Sequence, residues 1–169
     1  AQIPFIEAEG TNYEIGVAVG DKLKKDIAIF LASIQHDYER LTNKSFGSFI
    51  DAAQQFLLPC KQAYSEYVSE IEGMAAGAGI DFKTMFALSC TEELDWTAKP
   101  EKCSTLIARV EDSVVLARNE DYVMYPAQPL YVLRARQNGK PSFLSVGYVG
   151  TLAGSSAGIN SKGIAMAGN

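Results

Sequence analysis

Ile15, Val19, Leu23, Ile27, Phe30 and Ile34 recur at spacings of 4, 4, 4, 3 and 4 residues. That spacing keeps all of them on one face of an α-helix. Thr11-Asn12-Tyr13-Glu14 precedes them and reads as a capping box. In such a box the Thr11 hydroxyl accepts from the Glu14 amide and the Glu14 carboxylate reaches back. The apolar pattern predicts a second helical stretch from Ser48 to Ala76. Pro59 is expected to break or kink it, and Gly77 and Gly79 to end it. Asp81 then caps a third predicted helix running through Asp95, with Phe82, Met85, Phe86 and Leu88 as its apolar content. Thr97 to Lys102, TAKPEK, reads as an exposed polar connector.

From Cys103 the period changes. Ser104 to Val110 and Ser113 to Arg118 are short runs rich in branched residues, with Glu111 and Asp112 between them at hairpin spacing. Leu130 to Gln137 and Lys140 to Val146 flank Asn138-Gly139, the strongest hairpin signal in the chain. Leu152 to Ile159 and Gly163 to Ala167 flank Asn-Ser-Lys-Gly, a third turn. Helices first and an antiparallel meander afterwards make an α+β layout. The chain divides into a helical segment, residues 1–102, and the start of an antiparallel β core, residues 103–169, within one structural domain.

Composition narrows the classes of function. The chain has 169 residues, 47% of them hydrophobic and 21% charged, the balance of a globular domain. A net charge of −5 argues against a nucleic-acid partner, which needs clustered Lys and Arg. No apolar run approaches the ~20 residues of a membrane span. The opening, AQIPFIEAEG, lacks a basic start and a long apolar run. It favours the cytoplasm, although a signal peptide removed ahead of Ala1 would leave the same opening. Three cysteines, Cys60, Cys90 and Cys103, match no close-set zinc spacing, so no metal is expected. With a single histidine, His36, a Ser-His-Asp triad is poorly supplied, and the base of any enzyme here is expected not to be histidine.

A two-residue loop at Glu111-Asp112 sets Val110 against Ser113, Thr105 against Arg118 and Cys103 against Glu120. Arg118 is then a diagonal neighbour of Cys103, roughly 7–8 Å away at the backbone and within reach of a long side chain. Asp121 falls opposite the Lys102–Cys103 peptide bond. The missing piece is a base. Cutting before Cys103 would supply one, because an α-amine titrates near ~7.7–8.0 and would sit beside its own thiol. The plainer alternatives stay open on the residues alone. A strand cysteine is most often inert packing. Arg118 and Asp121 fit a surface ion pair. Cys60, Cys90 and His36 fit structural roles, and Glu92, Glu93 and Asp95 fit a solvated helix end.

Several segments carry a family likeness. They are Gly-Thr-Asn-Tyr-Glu-Ile-Gly at 10–16 with Gly20, Ile-Glu-Gly-Met-Ala-Ala-Gly-Ala at 71–78, and Thr91-Glu92-Glu93. Cys103-Ser104-Thr105, Arg118-Asn119-Glu120-Asp121 and Gly158-Ile159-Asn160-Ser161-Lys162-Gly163-Ile164-Ala165 continue it. In order and spacing the chain resembles the acyl-coenzyme A:6-aminopenicillanic acid acyltransferase (isopenicillin N acyltransferase-like) family of N-terminal-nucleophile hydrolases. The resemblance implies a four-layer αββα sandwich and self-cleavage between Lys102 and Cys103. Cys103 would become the N-terminal nucleophile and its freed amine the base. It further implies that Asp121 orients the amine and thiol, with Arg118 beside them and Asn169 bordering the oxyanion site. Thr105, Asn119 and Tyr122 would be substrate-binding positions.

The expected activity is that of an amidase or acyltransferase on a small-molecule acyl substrate, an amide or thioester. No cofactor is expected, acyl-coenzyme A being a substrate. The two chains of the cleaved precursor are expected to stay associated. The alternative is a non-catalytic, unprocessed binding module of the same fold; a plain cysteine hydrolase is a further rival that lacks a well-placed histidine. Two departures from the family pattern stand out. Lys102 occupies a position where the penicillin enzyme has glycine, and family members continue well past Asn169, so the chain is expected to be part of a longer protein.

Overall fold

The structure, a computed structural model, describes residues 3–91, 93–94, 102–121, 129–154 and 156–168, with backbone alone at 102, 120 and 121. Strand β1 (Phe5–Gly10) opens the chain, followed by helices α1 (Asn12–Thr42), α2 (Phe46–Ala63), α3 (Ser65–Ala78) and α4 (Phe82–Ser89). Strands β2 (Lys102–Val110), β3 (Ser113–Asp121), β4 (Leu130–Gln137), β5 (Phe143–Tyr148), β6 (Ala157–Asn160) and β7 (Ala165–Ala167) complete a mixed α+β fold.

The apolar stripe of α1 is buried as its spacing predicts: Ile15, Val19, Leu23, Ile27, Phe30 and Ile34 are all buried, and Tyr38 extends the row. The capping box is present, with the Thr11 amide donating to Glu14 Oε2 at 2.8 Å and the Glu14 amide donating to Thr11 Oγ1 at 3.3 Å. The Thr11 amide, together with the Thr11 hydroxyl donating to the same Oε2 at 2.9 Å, holds the Glu14 carboxyl below its ordinary range. Asn43, in left-handed conformation at φ 56°, ends α1.

Two expectations are corrected in the next stretch. The helix is interrupted at Tyr64, while Pro59 lies inside α2. A proline removes one amide donor, and a helix held by packing tolerates one missing bond. Gly79 ends α3 in left-handed conformation at φ 72°, but Gly77 lies within α3. The reason is contact with α1. A Cβ on Gly77 would overlap Val17 O and lie 2.7 Å from Asp21 N. One on Gly73 would overlap Tyr13 O, and ones on Gly16 and Gly20 would overlap the carbonyls of Glu70 and Met74. Two glycine pairs, each spaced by four, thus let the backbones of α1 and α3 touch. Ascending positions on one helix meet ascending positions on the other, so the helices run parallel and α2 is the return path between them.

Asp81 caps α4 as expected, accepting from the Thr84 amide at 3.1 Å, yet α4 stops at Ser89 rather than near Asp95. The connector lies outside the described residues up to 101, and Lys102 opens β2.

The reading of helices followed only by an antiparallel meander is also corrected. β1 precedes the helices and pairs parallel with β4, Phe5 beside Val132 and Glu9 beside Arg136. The main sheet has the order β1-β4-β5-β6-β7, antiparallel after the first pair, and β2 and β3 form a separate two-stranded ribbon. β3 lies beside β7, the edge of the main sheet. The Asn138-Gly139 turn is longer than two residues, because β5 begins only at Phe143, beyond Pro141, which has no amide to pair. The helices cover one sheet face, burying Ile6, Tyr131, Leu133 and Ala135. The opposite face carries Phe5, Leu144 and Ile159 at 50%, 37% and 48% exposure, beside the Arg134–Glu7 pair at 2.9 Å.

The helix contact gives a clear expectation for stability. Gly73→Ala forces a methyl into the Tyr13 carbonyl and should cost at least about 3 kcal/mol in denaturant unfolding. Gly47→Ala, where a Cβ would meet only Ser45 Oγ at an ordinary 3.8 Å, should be neutral or stabilising by up to about 1 kcal/mol.

Candidate active site

The β2–β3 ribbon has the register that a two-residue turn dictates: Val110 pairs with Ser113, Thr105 with Arg118, Cys103 with Glu120 and Lys102 with Asp121. Glu111 turns the chain with φ 54°. Cys103, Thr105 and Arg118 therefore share one face of the ribbon, and all of them are half-buried. Across the diagonal, Arg118 Nη2 donates to Cys103 Sγ at 3.5 Å. A guanidinium so placed supports negative charge on the sulfur as it develops. Asn119 points to the other face and is exposed. Asp121 reaches the site region through its backbone pairing with Lys102. Tyr122 and Asn169 lie outside the described residues.

The ribbon is apolar on both faces. Leu106 and Val110 are 64% and 55% exposed on one, Ile107 and Val114 69% and 71% on the other. The remaining thiols differ from Cys103. Cys90, at the C-terminal end of α4, is buried, and burial, helped by the charges of Glu93 and Cys60, pushes its thiol up to about 12. Cys60 packs half-buried against the core from α2. His36 is exposed on α1. Among the described residues no three His, Cys, Asp or Glu side chains gather as a metal site, and no helix is long and apolar enough to cross a membrane.

This arrangement separates the thiols by reactivity. Iodoacetamide at pH 7.5 should leave Cys90 unlabelled while Cys103 reacts, as read by peptide mass mapping. Arg118→Ala should slow labelling of Cys103 roughly fivefold, the equivalent of about 1 kcal/mol for a partly exposed contact.

The sequence profile of the acyl-coenzyme A:6-aminopenicillanic acid acyl-transferase family matches residues 108–169, from within β2 onward. A Drosophila melanogaster protein named beta-alanyl-dopamine/carcinine hydrolase is 26% identical over 188 aligned positions, covering 99% of this chain and 48% of its own length. The 40 kDa form of the acyl-coenzyme A:6-aminopenicillanic-acid-acyltransferase of Emericella nidulans is 24% identical over 166 residues, covering 95% of this chain and 45% of its own. The chain thus spans about half the length of the curated relatives it matches. The chain is thus similar to the acyl-coenzyme A:6-aminopenicillanic acid acyl-transferase family from residue 108 onward, and to both relatives along most of its length.

Proposed function

We propose that the protein to which this chain belongs is a cysteine amidase or acyltransferase, with Cys103 as an N-terminal nucleophile released by self-cleavage after Lys102. The observation that carries this reading is the Arg118 donor 3.5 Å from Cys103 Sγ at the start of a strand. In the precursor the thiol adds to the Lys102 carbonyl carbon. The Lys102–Cys103 C–N bond breaks, and the acyl group moves to sulfur as the nitrogen takes a proton. Water then opens that thioester, leaving a carboxylate on Lys102 and a free amine and thiol on Cys103.

In turnover the freed amine takes the thiol proton as sulfur attacks the substrate carbonyl. Donors around the site stabilise the oxyanion, each worth about 3–4 kcal/mol where such groups have been removed elsewhere. The amine returns its proton to the leaving nitrogen, or a thioester loses its thiol. The acyl-enzyme then passes its acyl group to water or to an amine. Asp121 orients the amine, Arg118 supports charge on the sulfur, and Thr105, Tyr122 and Asn169 form the surroundings of substrate and oxyanion, whereas Asn119, on the far face of the ribbon, takes no part.

A four-layer αββα sandwich belongs to the same proposal. Its support is the apolar content of the sheet face that the helices leave uncovered, at Phe5, Leu144 and Ile159, and of both ribbon faces. Association of the two cleaved chains is supported by β1, which sits in the same sheet as β4.

The test uses the whole protein. Mass spectrometry after incubation at neutral pH should show one piece ending in Lys102 and another beginning with Cys103. Cys103→Ser should remain folded and lose turnover by about a thousandfold or more. Asp121→Asn should block maturation or turnover with a cooperative fold retained. Beta-alanyl-dopamine and carcinine, named for the Drosophila relative, and acyl-coenzyme A are the first substrates to try. An intact chain with full activity would remove the processing step. An intact, inactive chain that still binds these compounds would instead favour a binding module.

A further inference from the structure

A carboxyl group outside the candidate site is enclosed where three elements meet. Glu70 of α3 is 6% exposed. Asn12, the first residue of α1 and itself buried, donates from Nδ2 to Glu70 Oε2 at 2.9 Å. Tyr131 of β4, 1% exposed, lies close enough that the Glu70 charge acts on its phenol. Tyr131 has no hydrogen to offer the carboxyl, because its hydroxyl donates to Thr151 O at 2.9 Å. On α3, Glu66 stands one turn before Glu70 and is paired with Lys140 of the β4–β5 loop, while Glu72 pairs with Lys61 at 3.4 Å. Lys140 and Lys61 are thus each engaged with another carboxylate of α3. The group facing Glu70 from α1 is a neutral amide, and the one from β4 is a phenol.

We propose that the Asn12–Glu70 pair beneath Tyr131 is a proton-operated latch joining α1, α3 and β4, closed while Glu70 is a neutral acid and loosened when it ionises. A neutral acid keeps the Asn12 bond and places no charge in the enclosed space. An anion keeps the same single bond and must shed its hydration with no ion pair to Glu70 among the described residues. Burial accordingly raises the Glu70 affinity for its proton, and the Asn12 bond offsets part of that rise. The sign of the linkage follows. The latch is fully closed below the ordinary carboxylate range and loses strength as pH rises through the higher folded-state value. The location matters because Gly73 and Gly16 bring the two helix backbones together beside it, Gly16 against the Glu70 carbonyl itself.

Thermal unfolding of the chain and of Glu70→Gln between pH 4 and pH 8 tests this. Glutamine keeps an acceptor for Asn12 and cannot ionise. The two melting temperatures should agree near pH 4, and the variant should pull ahead as pH rises, by about 3 °C or more at pH 8. Asn12→Ala removes the one bond that favours the anion, so its melting temperature should fall more steeply with pH than that of the parent chain. An infrared band of a protonated carboxyl at pH 5, absent in Glu70→Gln, would report the proton directly even where Asn12→Ala folds poorly. Parallel melting curves for the parent and Glu70→Gln, with no such band, would overturn the proposal.

Discussion

The contact on which the rest of the structure depends is between two helix backbones. Gly16 and Gly20 on α1 meet Gly73 and Gly77 on α3 with no side chain between them. At that distance the dispersion contacts of two main chains replace those of side chains. The price is loss of all tolerance, since a single methyl meets a carbonyl oxygen. The close approach sets a parallel pair of helices as one rigid slab. The buried stripe of α1, together with Met74, Ala75 and Ala78 of α3, then forms the surface on which the sheet lies. β1 leads straight into α1 through the Thr11 cap, so the slab also fixes where β1, and hence β4, must run.

What was legible in the sequence was local. The face of α1 follows from spacing alone, and the β2–β3 register follows from a two-residue turn. The Cys103–Arg118 contact therefore needed no tertiary knowledge. What was hidden depends on distant partners. β1 is a six-residue strand with two glutamates, and only its parallel partner β4 makes it a strand. Gly77 looks like a helix terminator until α1 is placed against it. Pro59 looks like a break, but packing carries α2 past it to Ala63. Glu70 follows Val68 in a helix of mixed pattern, and its burial and its bond to Asn12 appear only once α3 is packed against α1. Of Asp121 only the backbone register beside Lys102 is described, and Tyr122 and Asn169 belong to stretches outside the described residues.

The ribbon and the main sheet differ in how they are supported. The main sheet has a packed face beneath it. The ribbon presents apolar side chains to both sides, and an isolated two-stranded ribbon is only marginally stable in water. The thiol and its guanidinium partner therefore ride on an element whose rigidity depends on whatever packs against it, and the site's precision is tied to that packing rather than to the helical slab. This is the reverse of α4, where Cys90 is fixed by the core and shielded by it.

The pairing of β1 with β4 also orders events during folding. Glu7 and Arg134, neighbours in the sheet, are 127 positions apart in the chain. Closing so long a loop is entropically costly, and contacts of this separation form late. The helical slab can assemble from residues close in sequence as soon as α3 emerges, whereas β1 waits for β4 to be made. Until β4 is made, a nascent chain thus carries a strand whose hydrogen-bonding groups lack the partner they have in the finished sheet. The two glutamates that point outward from β1, at positions 7 and 9, guard it against pairing with the wrong strand in the interval.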